Sequence, residues 1–520
     1  MRYSNLVNIR VLILGLLVMA IMPACTDLQP DVYSSLPADK FGQSQRELVQ
    51  EAGRAFSHLQ NGTSDLYGFW GMKVVPTDET VIPYRVQNLW YDGGEWIALY
   101  THNFSPDLFT DPAAWDFIFG GVSICNQIIY QIGQSSVQFK AKDKIVAQLK
   151  MLRAWYYLQA MDLWGNVPIS TDFSDPTPPK QSSRKEVFNF VEKQIKDNIS
   201  DLDPYPTGEN YGRPTQAMAN MMLAKLYLNA DVWVGTPMWD KAIDATNKII
   251  NSGSPLQLES NYFANFAVHN ENSKENIFVV PEDRVNTAGW THELNLEQYT
   301  LHTLSQQTFG ILAFCWDGMA ATEDFYKSYD KDDSRIDSWL EGPQYDANGN
   351  PLMLTADHQL NYRPHVKSLN TDGNRALLDD GVRFQKYRYE SGIQEGQSMS
   401  NDWVIYRYAD ALMIKAEALM RKNGGTATPE AVNLVNKIRE RAFGDASHDY
   451  TTSTLTMDTL LAELGREFAW EGHRRDDLIR FGKWTDSWWE KPATADYKKL
   501  FPIPTGALSD NTNLKQNPGY

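Results

Sequence analysis

A sugar ring offers an apolar C–H face and a polar rim, so a protein grips it with an exposed aromatic face and convergent amide, carboxylate or guanidinium groups. Large aromatics on turns rich in Gly, Asn and Asp are the sequence signature of that chemistry. In Asn88-Leu89-Trp90-Tyr91-Asp92-Gly93-Gly94-Glu95-Trp96, large rings sit beside a glycine pair and two acids. Trp90 is the first choice for a ligand platform; Tyr91 and Trp96 fit core packing as well as they fit a ligand. Asn286-Thr287-Ala288-Gly289-Trp290-Thr291 sets Trp290 in a small polar loop with little local apolar sequence to cover it. Cys315-Trp316-Asp317-Gly318 supplies Trp316 as a third platform, with Asp317 as a polar contact. Platforms from separate loops would form an extended flat surface, which favours a long β-linked plant glycan over a coiled α-glucan.

Other chemistries leave weaker marks. A glycoside hydrolase acting on the same glycan needs two carboxylates about 5 Å or about 6.5–9.5 Å apart, one of raised pKa. The visible acid pairs, Glu323-Asp324, Asp332-Asp333 and Asp476-Asp477, are sequence neighbours set among Lys and Arg. Such neighbours do not face each other on a helix, so they read as solvated charge, and no hydrolysis is expected. The nine His show no ligand spacing such as HExxH, and His473 reads as a structural donor in a charged helix. No cofactor or metal is expected, although loop carboxylates leave a Ca²⁺ open. No phosphate loop, nucleophile elbow or dinucleotide fingerprint falls in a strand-to-helix context. A helical-repeat adaptor holding only protein partners is the third reading.

The side chains that could bind must be held by something rigid, and helical periodicity supplies it. From Ala141 to Trp164, apolar residues Ile145, Leu149, Leu152, Trp155, Tyr156, Leu158 and Leu163 recur at three and four, and Gly165 with Pro168 ends the pattern. Gln216–Ala230 and Trp239–Ile250 form an expected antiparallel helical hairpin. Ile405, Tyr408, Ala409, Leu412, Met413, Ala416, Leu419 and Met420 make a further stripe, followed by a helix starting near Pro429. Small residues facing large ones, in helix pairs joined by short turns, point to tetratricopeptide-like packing without a strict repeat. The predicted fold class is mainly α: tetratricopeptide-like helical repeats forming a right-handed scaffold, with an irregular, loop-rich region carrying short β segments. Periodicity fails between about 255 and 400, where long irregular segments are expected to carry the binding site. Trp70, Trp115, Trp155, Trp164, Trp233, Trp403, Trp470 and Trp484 lie in helical or apolar stretches and read as core.

The chain of 520 residues carries 48 Lys plus Arg against 65 Asp plus Glu, for a net charge of −17. That surplus repels phosphate backbones and excludes nucleic acid as a partner. A mean hydropathy of −0.45 excludes a polytopic membrane protein. The aromatic content, 16 Trp, 25 Tyr and 22 Phe, exceeds what a core hides easily, so some rings should face a ligand.

Arg2 and Arg10 precede the apolar run Val11–Ile21, which closes at Ala24-Cys25. This fits a secretory leader, too short to span a bilayer. Residues 1–24 read as signal peptide, 25–43 as a linker headed by Cys25, which a resemblance of Ala24-Cys25 to the bacterial lipoprotein box implies is lipidated, and 44–520 as the body, with helical scaffold at about 44–254 and 401–520. Loss of the two leader arginines takes −17 to −19. Cys125 and Cys315 then remain, too few for a disulfide framework.

QLKMLRAWYYLQAMDLWGNVPI (148–169), RYADALMIKAEALMR (407–421), ELGREFAWEGHRRDDLIRFGKW (463–484) and LFPIPTGALSDNTNLKQNPGY (500–520) together resemble the SusD/RagB family. Ala24-Cys25 likewise resembles the bacterial lipoprotein box, and residues 315–318 resemble the family's Gly-Trp-Asn-Gly turn, with Cys and Asp replacing the first Gly and the Asn. The resemblance implies a glycan-binding lipoprotein at the surface of Bacteroidota, anchored to the outer membrane through its lipid only, that takes up oligosaccharide or polysaccharide and delivers it to a TonB-dependent, SusC-like transporter. The motifs themselves read as structural. Glu467, Glu471 and Arg475 recur at four, as a charge ladder along one helix face would. The tail, ending in Tyr520, should dock on the helices.

Overall fold

The computed structural model describes residues 42, 44–87, 90–251, 253–287, 294–369 and 374–520. The leader, Cys25, the linker to residue 41 and Trp290 lie outside them.

The first helices are α1 (Gln45–Thr63), α2 (Phe69–Val74) and α3 (Glu95–Tyr100). Two long ones follow, α4 (Thr110–Gln134) and α5 (Lys142–Trp164), then α6 (Arg184–Asn198), α7 (Gln216–Leu228), α8 (Ala230–Val234) and α9 (Trp239–Ile250). After the irregular region come α10 (Tyr408–Lys422), α11 (Pro429–Phe443), α12 (Met457–Phe468) and α13 (Arg474–Arg480). Successive helices pack side by side: α1 on α4, α4 on α5, α5 on α6, α7 on α9, α9 on α10 and α10 on α11. The protein is thus tetratricopeptide-like and mainly α, with short strands.

The ends of these helices follow from their sequences. Ser183 and Glu186 form a capping box on α6. Thr428 accepts from the Ala431 N–H with Pro429 in the first turn of α11, and Gly444 closes that helix at φ +83°. Helix α5 is buried along nearly its whole second half, from Met151 to Trp164. It approaches α4 so closely that a Cβ on Gly121 would stand 2.3 Å from the Tyr156 ring. The eight Trp read as core are all buried, and each such side chain contributes on the order of 2–3 kcal/mol of burial.

Two five-residue strands, β1 (Asn276–Val280) and β2 (Trp403–Arg407), are fully buried and pair antiparallel, Trp403 opposite Val280 and Arg407 opposite Asn276. Ile405 therefore belongs to β2 and not to the helical stripe that begins at Tyr408, because Arg407 caps α10 and the strand turns into the helix there. Between the strands, the described residues of 281–402 form an excursion of turns, one-turn helices and strands of two or three residues.

The expected charge ladder is not one. Helix α12 stops at Phe468, and Trp470 (φ +58°) and Gly472 (φ +78°) turn the chain before α13 begins at Arg474. Glu467 and Arg475 are buried, the Glu471 side chain is nearly sealed at 2% exposure, and all three reach distant partners instead. Glu467 receives Arg335 (3.0 Å), Arg407 (2.5 Å) and Arg441; Glu471 receives Lys386 (2.5 Å) and Arg407 (2.8 Å); Arg475 reaches Asp162 (2.7 Å). Glu463 adds Arg335, Arg439 and Arg466 at 2.6–2.7 Å. Burial alone would raise the pKa of Glu463, but the surrounding guanidiniums win and hold it down at about 2. Glu467 is held well below the carboxylate range by Arg441, Arg407 and Arg335, again against burial. Arg335 comes from the excursion, so this network bolts the excursion to α10, α11 and α12.

Of the acid pairs, Glu323-Asp324 is surface charge as expected, whereas the other two depart from it. Asp333 is buried against Arg335, and Asp477 is buried against Arg480. His473 presents Nδ1 to the Lys225 ammonium at 2.7 Å, so that nitrogen accepts where a donor was expected. The tail is docked: Phe501 N–H donates to Leu163 O (2.9 Å), the Asn517 amide to Trp164 O (2.9 Å) and the Tyr520 hydroxyl to Leu500 O (2.8 Å). Cys125 and Cys315 are both buried free thiols. Among the described residues, no helix is long and apolar enough to cross a membrane.

Candidate functional site

Two extended segments run side by side at the base of the excursion, joined by an antiparallel bridge between Val81 and Ala320. At one end the first segment leads into the turn Trp90–Gly94, and the second begins at Trp316. The two turns meet. Trp90 and Trp316 lie edge to face, ring centroids 5.4 Å apart at 86°. Both are half-buried.

The turn carrying Trp90 is held by strain and by one carboxylate. Asp92, Gly93 and Gly94 all have positive φ (46°, 66° and 90°), a conformation that is costly for Asp92 because it has a Cβ. Asp92 Oδ2 accepts from Trp90 Nε1 (2.6 Å), Trp96 Nε1 (2.9 Å) and the Tyr67 hydroxyl (3.2 Å). Burial, then the Asp92 charge, pushes the Tyr67 phenol above its ordinary range, so it stays a donor. Tyr67 stacks beside Trp90 at 6.4 Å and 21°.

The turn carrying Trp316 is pinned from below. Trp316, Asp317 and Gly318 donate their N–H groups to Gln298 O, Leu301 O and Tyr299 O, at 2.7, 2.9 and 3.1 Å. Arg85 Nε donates to Asp317 O (2.8 Å), and its Nη1 donates to Leu377 O and Asp380 O (2.8 and 2.7 Å). Gly318 is needed for a steric reason: a Cβ there would stand 1.8 Å from the Trp90 ring.

Between the turns opens a cavity of about 580 Å³, lined by Tyr67, Gln87, Trp90, His302, Phe314 and Trp316, with Thr303, Cys315, Asp317 and Leu378 completing it. That volume is within the usual range for small-ligand sites. Burial lowers the His302 pKa, and Arg383 and Arg85 add to this against the pull of Asp317. The ring is therefore neutral at neutral pH. Its Nδ1 accepts from Leu304 N–H (3.1 Å), which leaves Nε2–H as a donor. Together with the Gln87 amide and the Thr303 hydroxyl, the cavity offers two aromatic surfaces and several polar groups, the complement of a sugar ring.

The structure brings together Trp90 and Trp316 and separates the other candidates. Trp96 is 1% exposed, sealed beneath Trp90 and Tyr67, so it supports a platform and is not one. Tyr91 turns away to pack on Tyr84 (4.8 Å), whose ring Arg375 covers at 3.9 Å. Asp317 is 4% exposed and its Oδ1 accepts from Arg383 Nη2 at 2.7 Å, so its carboxylate is a strut within the turn and not a ligand contact. Trp290 falls in 288–293, outside the described residues. The flat strip expected from separate loops does not form from Trp90 and Trp316, which share one cavity at right angles. Tyr67, Gln87, His302, Thr303 and Phe314 were missed. Tyr67, between Asp65 and Gly68, carries the same turn-borne aromatic signature and was findable; His302 and Gln87 carry no local signal.

Comparison with known proteins bears on this arrangement. The family described as the SusD family matches residues 236–497, and one described as starch-binding associating with outer membrane matches 47–228. The chain is 28% identical to the starch-binding protein SusD of Bacteroides thetaiotaomicron over 414 residues, 72% of each chain. It is 22% identical to the SusD-like protein P38 of Formosa agariphila, over 99% of each. Among solved structures, a laminarin-binding SusD-like protein superposes with a TM-score of 0.73 at 20% identity, covering 92% of this chain and all of that one. A surface glycan-binding protein A from Bacteroides thetaiotaomicron in complex with laminarihexaose gives 0.72 at 20% identity, over 91% and 99%. At that identity the structural likeness speaks for the fold alone.

Proposed function

The chain belongs to the SusD family, and on that premise we propose that it captures oligosaccharide or polysaccharide at the cavity between Trp90 and Trp316. The observation that carries this reading is the pair of half-buried indoles meeting at right angles over a roomy, polar-edged cavity. A sugar seated there stacks on one ring while the edge of the other, with His302 and Gln87, closes on its rim. A perpendicular pair grips a sugar from two sides and carries no preference for a flat chain. Names of relatives that bind starch or laminarin agree with a glycan as ligand.

We propose binding without cleavage, a reading supported by the carboxylates beside the rings: Asp92 is committed to three donors and Asp317 to Arg383. We further propose that Cys25 carries the lipid that holds the protein on the outer membrane at the cell surface, and that the captured glycan passes to a TonB-dependent transporter. Weak stacking contacts add up across a chain of sugars and release quickly, which suits hand-over.

Affinity electrophoresis through gels holding starch or laminarin tests the site. Trp90→Ala and Trp316→Ala should each sharply reduce the retardation of the wild-type chain while thermal unfolding stays cooperative. Unchanged retardation in both variants would refute the site, and new reducing ends on incubation with either polymer would refute binding without cleavage.

A further inference from the structure

The two bridged segments that carry the indole cavity at one end carry a second cavity at the other. It measures about 180 Å³ and is lined by Asp78, Thr322, Asp324, Phe325, Ser328, Arg474, Trp488 and Trp489, with Ala462 at its base. Asp324 follows Trp316 by eight positions, so the Cα atoms of these two lining residues are no more than about 29 Å apart.

Its aromatic wall is fixed as firmly as the first one. Trp488 and Lys491 close a tight turn through reciprocal backbone hydrogen bonds (3.1 and 2.9 Å), with Glu490 at φ +50°. Glu490 Oε2 accepts from Leu369 N–H (2.8 Å), and Trp489 O accepts from the Tyr100 hydroxyl (2.7 Å). The Lys491 ammonium sits on the Trp488 ring at 3.8 Å. Trp489, at the tip of this strained turn, remains half-buried. Opposite it, Arg474 is spent in a two-pronged pair with Asp78 (2.6 and 2.7 Å), whereas Asp324 is exposed at the rim. As at Trp90, a turn with a residue at positive φ steadies an indole at the edge of a cavity; here the carboxylate on the lining, Asp324, comes from another segment.

We propose that this cavity is a second carbohydrate subsite, which takes a neutral sugar unit on the Trp489 face with Asp324 accepting from its hydroxyls. The carboxylate disfavours uronic acids by like-charge repulsion. The inference rests on the carbohydrate-binding reading of the first cavity. A polymer long enough to reach both cavities gains avidity without new contacts at either.

Fluorine NMR of the mature chain labelled with 5-fluorotryptophan, titrated with maltohexaose and laminarihexaose, separates the two claims. The Trp489 resonance, assigned by its loss in Trp489→Phe, should shift saturably with at least one hexaose, and should still do so in Trp316→Ala. Asp324→Asn should weaken that shift about fivefold, as loss of one hydrogen bond implies, and leave the Trp316 midpoint unchanged. A Trp489 signal that stays still while the Trp316 signal saturates overturns the second subsite alone. If neither signal moves, the carbohydrate reading falls with it.

Discussion

The buried charge network and the indole cavity both join residues of the excursion to residues outside it, and they are built in opposite ways. Around Glu467 and Arg407 every charge is sealed from water and tied to several partners on different elements. Around Trp90 the rings stay half-buried, and the fixing is done by backbone: positive φ at Asp92, Gly93 and Gly94, three N–H groups of the 316–318 turn bound to carbonyls, and one carboxylate gathering three donors. The network makes the frame unique; the strained turns hold half-buried rings still at the edge of a cavity. Rings that line a cavity draw their rigidity here from the backbone behind them.

Three changes should separate these modes. The largest effect is expected from Arg407→Ala, which strands Glu275, Glu467 and Glu471 without their shared cation. Breaking one partner of a buried pair costs about 3–5 kcal/mol, to be read from denaturant unfolding. The surviving folded fraction should bind glycan as before, and a loss below about 1 kcal/mol would mean that the network is ornamental. Acid probes the same network. Glu463 and Glu467 have folded pKa values below their unfolded ones, so their stabilisation is complete above pH 4.5 and is lost as pH falls toward about 2.

Gly318→Ala comes next. The added methyl meets the Trp90 ring, and overpacking of this kind costs about 1–3 kcal/mol. The cost should fall on glycan retention, which should drop at least as far as in Trp316→Ala, while the unfolding midpoint moves little. A large stability loss with intact retention would erase the distinction between the two regions. The smallest effect is expected from Asp92→Asn, which keeps the shape and weakens three charge-assisted hydrogen bonds. Binding should fall severalfold, about 1 kcal/mol, with the tryptophan emission of the Trp90–Trp96 pair shifting as their N–H partner changes.

The helices were legible because burial on one face writes a 3.6-residue period into the sequence; Trp239–Ile250 has the expected bounds, α5 ends at the expected stop signal and α11 begins at the expected start. Ile405 was misassigned because a buried strand feeding directly into a helix continues the apolar run without a break. The ladder of Glu467, Glu471 and Arg475 misled because spacing by four implies one helix, whereas Trp470 adopts a left-handed conformation that its side chain does not advertise. At the site, Trp90 and Trp96 share one turn and one hydrogen-bond acceptor, and only the fold decides which of them is sealed. His302 and Gln87 are brought in by pairing across long stretches of chain, a relation that no local pattern records.

The ribbon of β1 and β2 delivers both ends of residues 281–402 to one place in the helical frame. Insertions within that interval would therefore leave the helical frame in place, so long as the two entry strands and the interval's own Arg335 and Lys386, which satisfy buried carboxylates of the frame, survive.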